Sequence, residues 1–241
     1  MSNAMPSSAT GIANPGKPMN EVVTEARFKG RRIQPLTIRL NHWMNALFIF
    51  LMAGSGLEIF AAYPSLGPQG AQYRWYPWQG VAPPGWLRIG GWLAGARHWH
   101  FAIAWFLVLN GLIYIAYFFG RGEWRRRLFL PARDARNAVL MFGYYLCLLK
   151  TPPPTGFYNS LQRFAYSSVT IVTIIQVLSG LAIYKPVQLH WLLNLFGGYD
   201  AARVIHLLGL VFIAMFVATH IVLVLLHPRE LLAMITGGER G

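Results

Sequence analysis

Four stretches of about twenty apolar residues divide this 241-residue chain, at about 40–60, 99–119, 164–184 and 202–226. No other feature restricts the fold as much. Twenty helical residues rise about 30 Å, the thickness of a bilayer's hydrocarbon core. The expected architecture is an all-α integral membrane protein, a bundle of four transmembrane helices. The hydrophobic fraction of 55% is ordinary for that class and high for a soluble domain. A fifth apolar run, 138–149, is too short to span and reads as an interfacial or cytoplasmic helix. The bundle occupies one domain, 31–230. Before it, 1–30 is Ser-, Pro- and Gly-rich over its first part and is expected to be disordered and cytoplasmic. After it, 231–241 reads as a cytoplasmic tail.

Charge sets the expected orientation. The net charge is +13 and unevenly placed. Six Lys/Arg precede the first span, and eight lie between the second and third, from Arg121 to Arg163. The positive-inside rule then puts both termini and that connection in the cytoplasm. Topology and anionic lipid account for the basic balance, so nucleic acid is not an expected partner. The one cysteine, Cys147, excludes an internal disulfide, a Cys-ligated iron–sulfur cluster and covalent haem attachment through CxxCH. The connection at 63–96 carries Trp75, Trp78, Trp86 and Trp92. It reads equally as an interfacial aromatic loop or as a docking surface for a partner outside the membrane.

The histidines carry the chemistry. His206 and His220 are fourteen residues apart on the last span. Fourteen residues advance about 21 Å and close almost four turns, so both imidazoles share one face at two depths. Ionisable groups within spans are costly and mark function. With alternating span directions, His42 falls at the depth of His220 and His100 at that of His206. Two pairs at two depths suit the axial positions of two stacked b-type haems. His98 competes with His100, about 200° away on the same helix. The Arg97-x-x-His100 spacing repeats at Arg203-x-x-His206 and favours His100, with Arg97 and Arg203 placed to pair with haem propionates. His190 and His227 lie in connections and read as solvated. The competing account is a haem-free anchor or transporter that uses histidines as polar glue between helices. Glu58, the one carboxylate within the spans, argues against a proton-coupled pump.

At these residues the chain resembles the di-haem cytochrome b subunits of membrane nickel-iron hydrogenases, thiosulfate reductases and formate dehydrogenases. The motifs are Asn41-His42-Trp43, Arg97-x-x-His100-Phe101, Tyr158-Asn159-Ser160-Leu161-Gln162, and Arg203-x-x-His206 followed by His220. They cover about Arg39 to Pro228. The resemblance implies a subunit of the bacterial inner membrane with two haem b groups. It would pass electrons between the quinone pool (menaquinone or ubiquinone) and a periplasmic molybdopterin oxidoreductase or hydrogenase. It also implies that Asn159 and Gln162 line a quinone pocket near His42 and His220. A helix N-terminus capped by Asn159 explains the same residues equally well. A stand-alone quinol oxidase, with a diffusible acceptor, would keep the haems without a partner enzyme.

Overall fold

A computed structural model describes residues 34–68, 71–153, 159–226 and 228–237. The expectation for 1–30 lies outside the described residues. Every regular element among those described is helical. In chain order they are α1 (Leu36–Ala61), a 3-10 turn (Gly85–Leu87), α2 (Leu93–Gly120), α3 (Trp124–Arg127), α4 (Pro131–Tyr145), α5 (Ser160–Tyr184), α6 (His190–Leu195), α7 (Tyr199–Leu226) and α8 (Pro228–Thr236).

The four expected spans are α1, α2, α5 and α7, with 26, 28, 25 and 28 residues. Each starts three to six residues before its apolar run. The first turns carry polar groups (Arg39 precedes α1's apolar stretch, Arg97 and His98 that of α2), so hydropathy begins later than the helix. At 1.5 Å per residue the helices are about 38–42 Å long and overrun the hydrocarbon core at both ends. Only 11–17% of each apolar window is buried within the chain. Such outward apolar surface is matched by lipid tails and not by water. The chain is a membrane protein.

The spans associate as two pairs, α1 with α2 and α5 with α7. Among the described residues the backbones of one pair scarcely approach those of the other, which leaves a crevice between them. Small apolar cores hold each pair: Phe48, Ile103 and Leu107 in the first, and Ala182 and Ala202 with Leu192 and Leu193 of α6 in the second. A polar clasp adds to the first pair. Asn41 Nδ2 donates to the Asn110 carbonyl at 2.7 Å, and Asn110 Nδ2 donates to the Asn41 carbonyl at 3.1 Å and to Asn45 Oδ1 at 2.9 Å. In lipid such amides hold helices together because separation would leave them unbonded.

The short apolar run forms part of α4, an amphipathic helix of 15 residues that does not span. Its anchor is Asp134, 2% exposed. Asp134 pairs with Arg133 at 2.8 Å and with Arg163 of α5 at 2.9 Å, and accepts from the Leu130 N–H at 2.9 Å. Burial alone would raise its pKa. The Arg133 and Leu130 hydrogen bonds and the two guanidinium charges outweigh burial and hold the carboxyl below its ordinary range.

Residues 231–236, read from sequence as the start of a tail, belong to α8. α8 folds back on the entry to α1: Gln34 N–H donates to the Gly237 carbonyl at 2.9 Å, and Arg39 Nε to the Met234 carbonyl at 3.1 Å. The α1–α2 connection is likewise fastened. Ile89 N–H donates to the Gly54 carbonyl at 3.0 Å, and Arg88 meets Glu58 at 3.4 Å. A Cβ on Gly54 would overlap the Ile89 side chain, so glycine is what lets this connection lie against α1. Trp75, Trp78, Trp86 and Trp92 remain 55–83% exposed on it.

Candidate functional site

The structure brings four of the predicted histidines together in two pairs across the crevice. His42 of α1 faces His220 of α7, with ring centres 6.0 Å apart and planes at 54°. His100 of α2 faces His206 of α7, with ring centres 6.3 Å apart and planes at 70°. α7 therefore supplies one imidazole to each pair. His98 is exposed and has no ring contact with His206. Helical phase decided between it and His100. His190 is exposed, its ring 3.0 Å from Asn194 Nδ2. His227 lies outside the described residues.

These separations can be tested against a bridging metal. Two in-line metal–imidazole bonds of about 2 Å, plus about 1.2 Å from each nitrogen to its ring centre, place the centres about 6.4 Å apart. Both pairs fall within half an ångström of that value. Ordinary ring contacts reach the same range, as Phe60 and Tyr76 do at 6.4 Å, so the separation admits a metal, and the opposition of two imidazoles at each of two depths is what argues for one. Among the described residues no three His, Cys, Asp or Glu side chains gather as they would around a bare metal ion. Two opposed imidazoles with no further ligand side chains are the donor set that a haem would take, and His42 with His220 and His100 with His206 would hold it. The residues present fit that group.

Each pair is oriented differently. At the His100–His206 site, Ser55 Oγ of α1 lies 3.0 Å from His100 Nδ1, and Ser179 Oγ of α5 lies 3.0 Å from His206 Nδ1. Both serines are fully buried. The next residue in each case is a glycine under the same ring. A Cβ on Gly56 would come within 3.2 Å of His100 Cε1, and one on Gly180 within 3.1 Å of His206 Cε1. At the His42–His220 site the rings rest on aromatics. Phe216 stacks on His220 at 5.8 Å and 7°, and Trp43 meets His42 edge-on at 5.2 Å. His42 Nδ1 is buried without a hydrogen-bond partner among the described residues.

The serine–glycine seats were missed in the sequence reading, although a signal existed. Ser55-Gly56-Leu57-Glu58-Ile59-Phe60 and Ser179-Gly180-Leu181-Ala182-Ile183-Tyr184 share the pattern S-G-L-x-I-aromatic. With the repeated R-x-x-H, each helix pair contributes one S-G-L-x-I helix and one R-x-x-H helix. The His100–His206 site is thus built from two similar halves.

The remaining predicted residues are engaged with protein. Arg203 Nη2 donates to the Ser65 carbonyl at 2.9 Å and its guanidinium lies 5.3 Å from the Tyr63 ring centre. It ties the α1–α2 connection to α7. Arg97 lies 5.9 Å over the Phe101 ring. Asn159 and Gln162 form a capping box at the start of α5. Asn159 Oδ1 accepts from the Gln162 N–H at 2.7 Å, and Gln162 Oε1 accepts from the Asn159 N–H at 3.1 Å. Both amide oxygens are committed to backbone, and Asn159 Nδ2 lies 3.5 Å from the Tyr145 hydroxyl, so a ligand would meet the Gln162 NH2 group and the remaining Asn159 N–H.

With this geometry in view, comparison with known proteins gives a family. Residues 33–237 match the prokaryotic cytochrome b561 family, and the chain belongs to it. It is 36% identical over 205 residues to the putative protein-methionine-sulfoxide reductase subunit YedZ1 of Azospira oryzae, covering 85% of this chain and 96% of that relative. No solved structure matches.

Proposed function

We propose that this member of the prokaryotic cytochrome b561 family holds two b-type haems and relays electrons between the quinone pool and a periplasmic oxidoreductase. The observation that carries the proposal is the approach of the imidazoles across the crevice, at 6.0 and 6.3 Å. His42 and His220 would hold the haem toward the cytoplasm, and His100 and His206 the one toward the periplasm. Bound there, haem b supplies one-electron exchange between ferric and ferrous iron. α7 presents both of its ligands on one face and sets their spacing along the membrane normal, about 21 Å of helix rise.

Positive charge supports the orientation, with both termini and the α3–α4 region cytoplasmic. Asn159 and Gln162 then lie on the cytoplasmic side. Their amide NH2 groups are donors for a quinone carbonyl beside the His42–His220 site. The exposed tryptophans of the α1–α2 connection suit a periplasmic docking face. The name carried by the Azospira relative favours a partner that reduces protein methionine sulfoxide over a hydrogenase. Arg97 and Arg203 stand on the periplasmic side, where their guanidinium groups can answer haem propionates.

The test is the optical spectrum and haem content of the purified chain. Low-spin b-type bands and two haems per chain are expected. His42→Ala and His100→Ala should each remove one. A folded, colourless preparation overturns the proposal and returns the histidines to helix–helix glue.

A further inference from the structure

The geometry points to Ser55 and Ser179 as positioning residues that hold the ligand histidines of the His100–His206 site in one tautomer and set its redox balance. The inference rests on the two-haem reading above. It comes from a contrast within this chain: two fully buried hydroxyls serve one histidine pair, and the other pair has none among the described residues.

Each hydroxyl has a carbonyl of the preceding turn to donate to, close for Ser55 and longer for Ser179. Ser55 Oγ donates back to the Leu51 carbonyl at 2.7 Å, with the Met52 carbonyl at 3.3 Å. Ser179 Oγ has the Gln176 carbonyl at 3.3 Å. A serine in mid-helix commonly bonds this way to the preceding turn. Its oxygen is then left to accept, and the group 3.0 Å away is Nδ1 of the histidine. With Nε2 bound to a metal, Nδ1 carries the hydrogen and the serine oxygen is the acceptor that holds it there. The chain carbonyl ← Ser O–H, Ser Oγ ← H–Nδ1 therefore runs from the helix backbone to each ligand. The glycine after each serine lies beside the Cε1 edge of the same ring, where a Cβ would come within 3.1–3.2 Å. Hydroxyl and glycine together fix rotation about the ring's long axis and its tautomer.

An acceptor on Nδ1–H makes the imidazole a stronger donor at Nε2. A stronger donor favours ferric over ferrous iron. The two serines should therefore lower the midpoint potential of the His100–His206 haem relative to the same site without them. Among the described residues His42 Nδ1 lacks such a partner, so the His42–His220 haem should not respond.

The experiment uses the full-length haem-loaded protein in detergent. Ser55 and Ser179 are changed singly and together to Ala and, with the hydroxyl retained, to Thr. Haem content is measured first, followed by a potentiometric titration of the α-band. The step belonging to the His100–His206 site is the one that disappears in His100→Ala. A hydrogen bond of ordinary net strength predicts a rise of about fivefold in the ferrous:ferric ratio at fixed potential for each serine removed. That is about 40 mV at about 59 mV per decade for one electron. Thr should restore the wild-type step, and the His42–His220 step should stay in place throughout. Loss of the His100–His206 haem in Ala with retention in Thr also supports the assignment, because the hydroxyl is then what seats the ligand. Ala variants with two haems and unchanged potentials overturn it and leave the two-haem reading standing. Loss of that haem in Thr as well as in Ala also overturns it, by assigning the serines to packing alone. A wild-type chain without haem removes the underlying reading itself.

Discussion

Glycine 180 offers a sharp test of how closely the His206 ring is held. Glycine in a helix interior costs about 0.5–1 kcal/mol relative to alanine, so an unencumbered Gly→Ala change should stabilise α5. At Gly180 a Cβ would stand 3.1 Å from His206 Cε1 and 3.7 Å from Nδ1. Carbon atoms prefer about 3.5–4.0 Å. The ring must retreat by about half an ångström, yet Ser179 Oγ holds Nδ1 at 3.0 Å. Overpacking of this kind costs about 1–3 kcal/mol. The clash exceeds the helical gain by about 1–2 kcal/mol, which weakens haem retention about tenfold in Gly180→Ala. Gly180→Val adds two methyl groups to the same contact and should empty the His100–His206 site. Gly111 of α2 has no atom within 4 Å of its added Cβ, so Gly111→Ala is the matched control. The assay is the ratio of haem to protein after prolonged washing, with the redox titration to show which site was lost. A Gly180→Val protein with two haems and wild-type potentials would refute the reasoning.

Three further outcomes are expected. Asp134→Ala strands Arg163 and Arg133 at the α4–α5 contact; with Arg163 11% and Arg133 37% exposed, the cost is about 2–3 kcal/mol, read as a lower unfolding temperature and faster proteolysis within α4. The folded Asp134 pKa is depressed, so its stabilisation is present above the unfolded carboxylate pKa of about 3.9 and is lost only as pH falls below it; proteolysis of α4 by an acid-tolerant protease should be flat from pH 8 to 5 and rise below pH 4. Asn159→Asp keeps a cap for α5 but deletes the Nδ2 donor, whereas Asn159→Ala loses about 1 kcal/mol of cap; quinol oxidation should fall in both, and wild-type turnover in the Asp variant would limit Asn159 to capping.

Much of the bundle was legible because lipid imposes a one-dimensional rule. Apolar length marks the spans, and a period of 3.6 residues places His206 and His220 on one face. Helix ends were read short because Arg39, Arg97 and Asp200 interrupt hydropathy without interrupting backbone hydrogen bonds. α8 escaped notice because nine residues with two charges look like a tail until Arg39 and Gln34 receive them. The Asn159–Gln162 spacing was read with two meanings, and the capping box shows where both amide oxygens are engaged.

Sequence alone determined the number of spans, the 14-residue separation on α7 and the residue types able to approach a metal, since these follow from composition and helical repeat. Tertiary structure alone decided which helix faces which. The pairing of α1 with α2 and of α5 with α7 places Ser55 on His100 and Ser179 on His206, contacts that cross 45 and 27 positions of chain. Span direction gives the depth of each side chain, but a hydrogen bond between helices also depends on their relative rotation and partner choice, which no local pattern encodes.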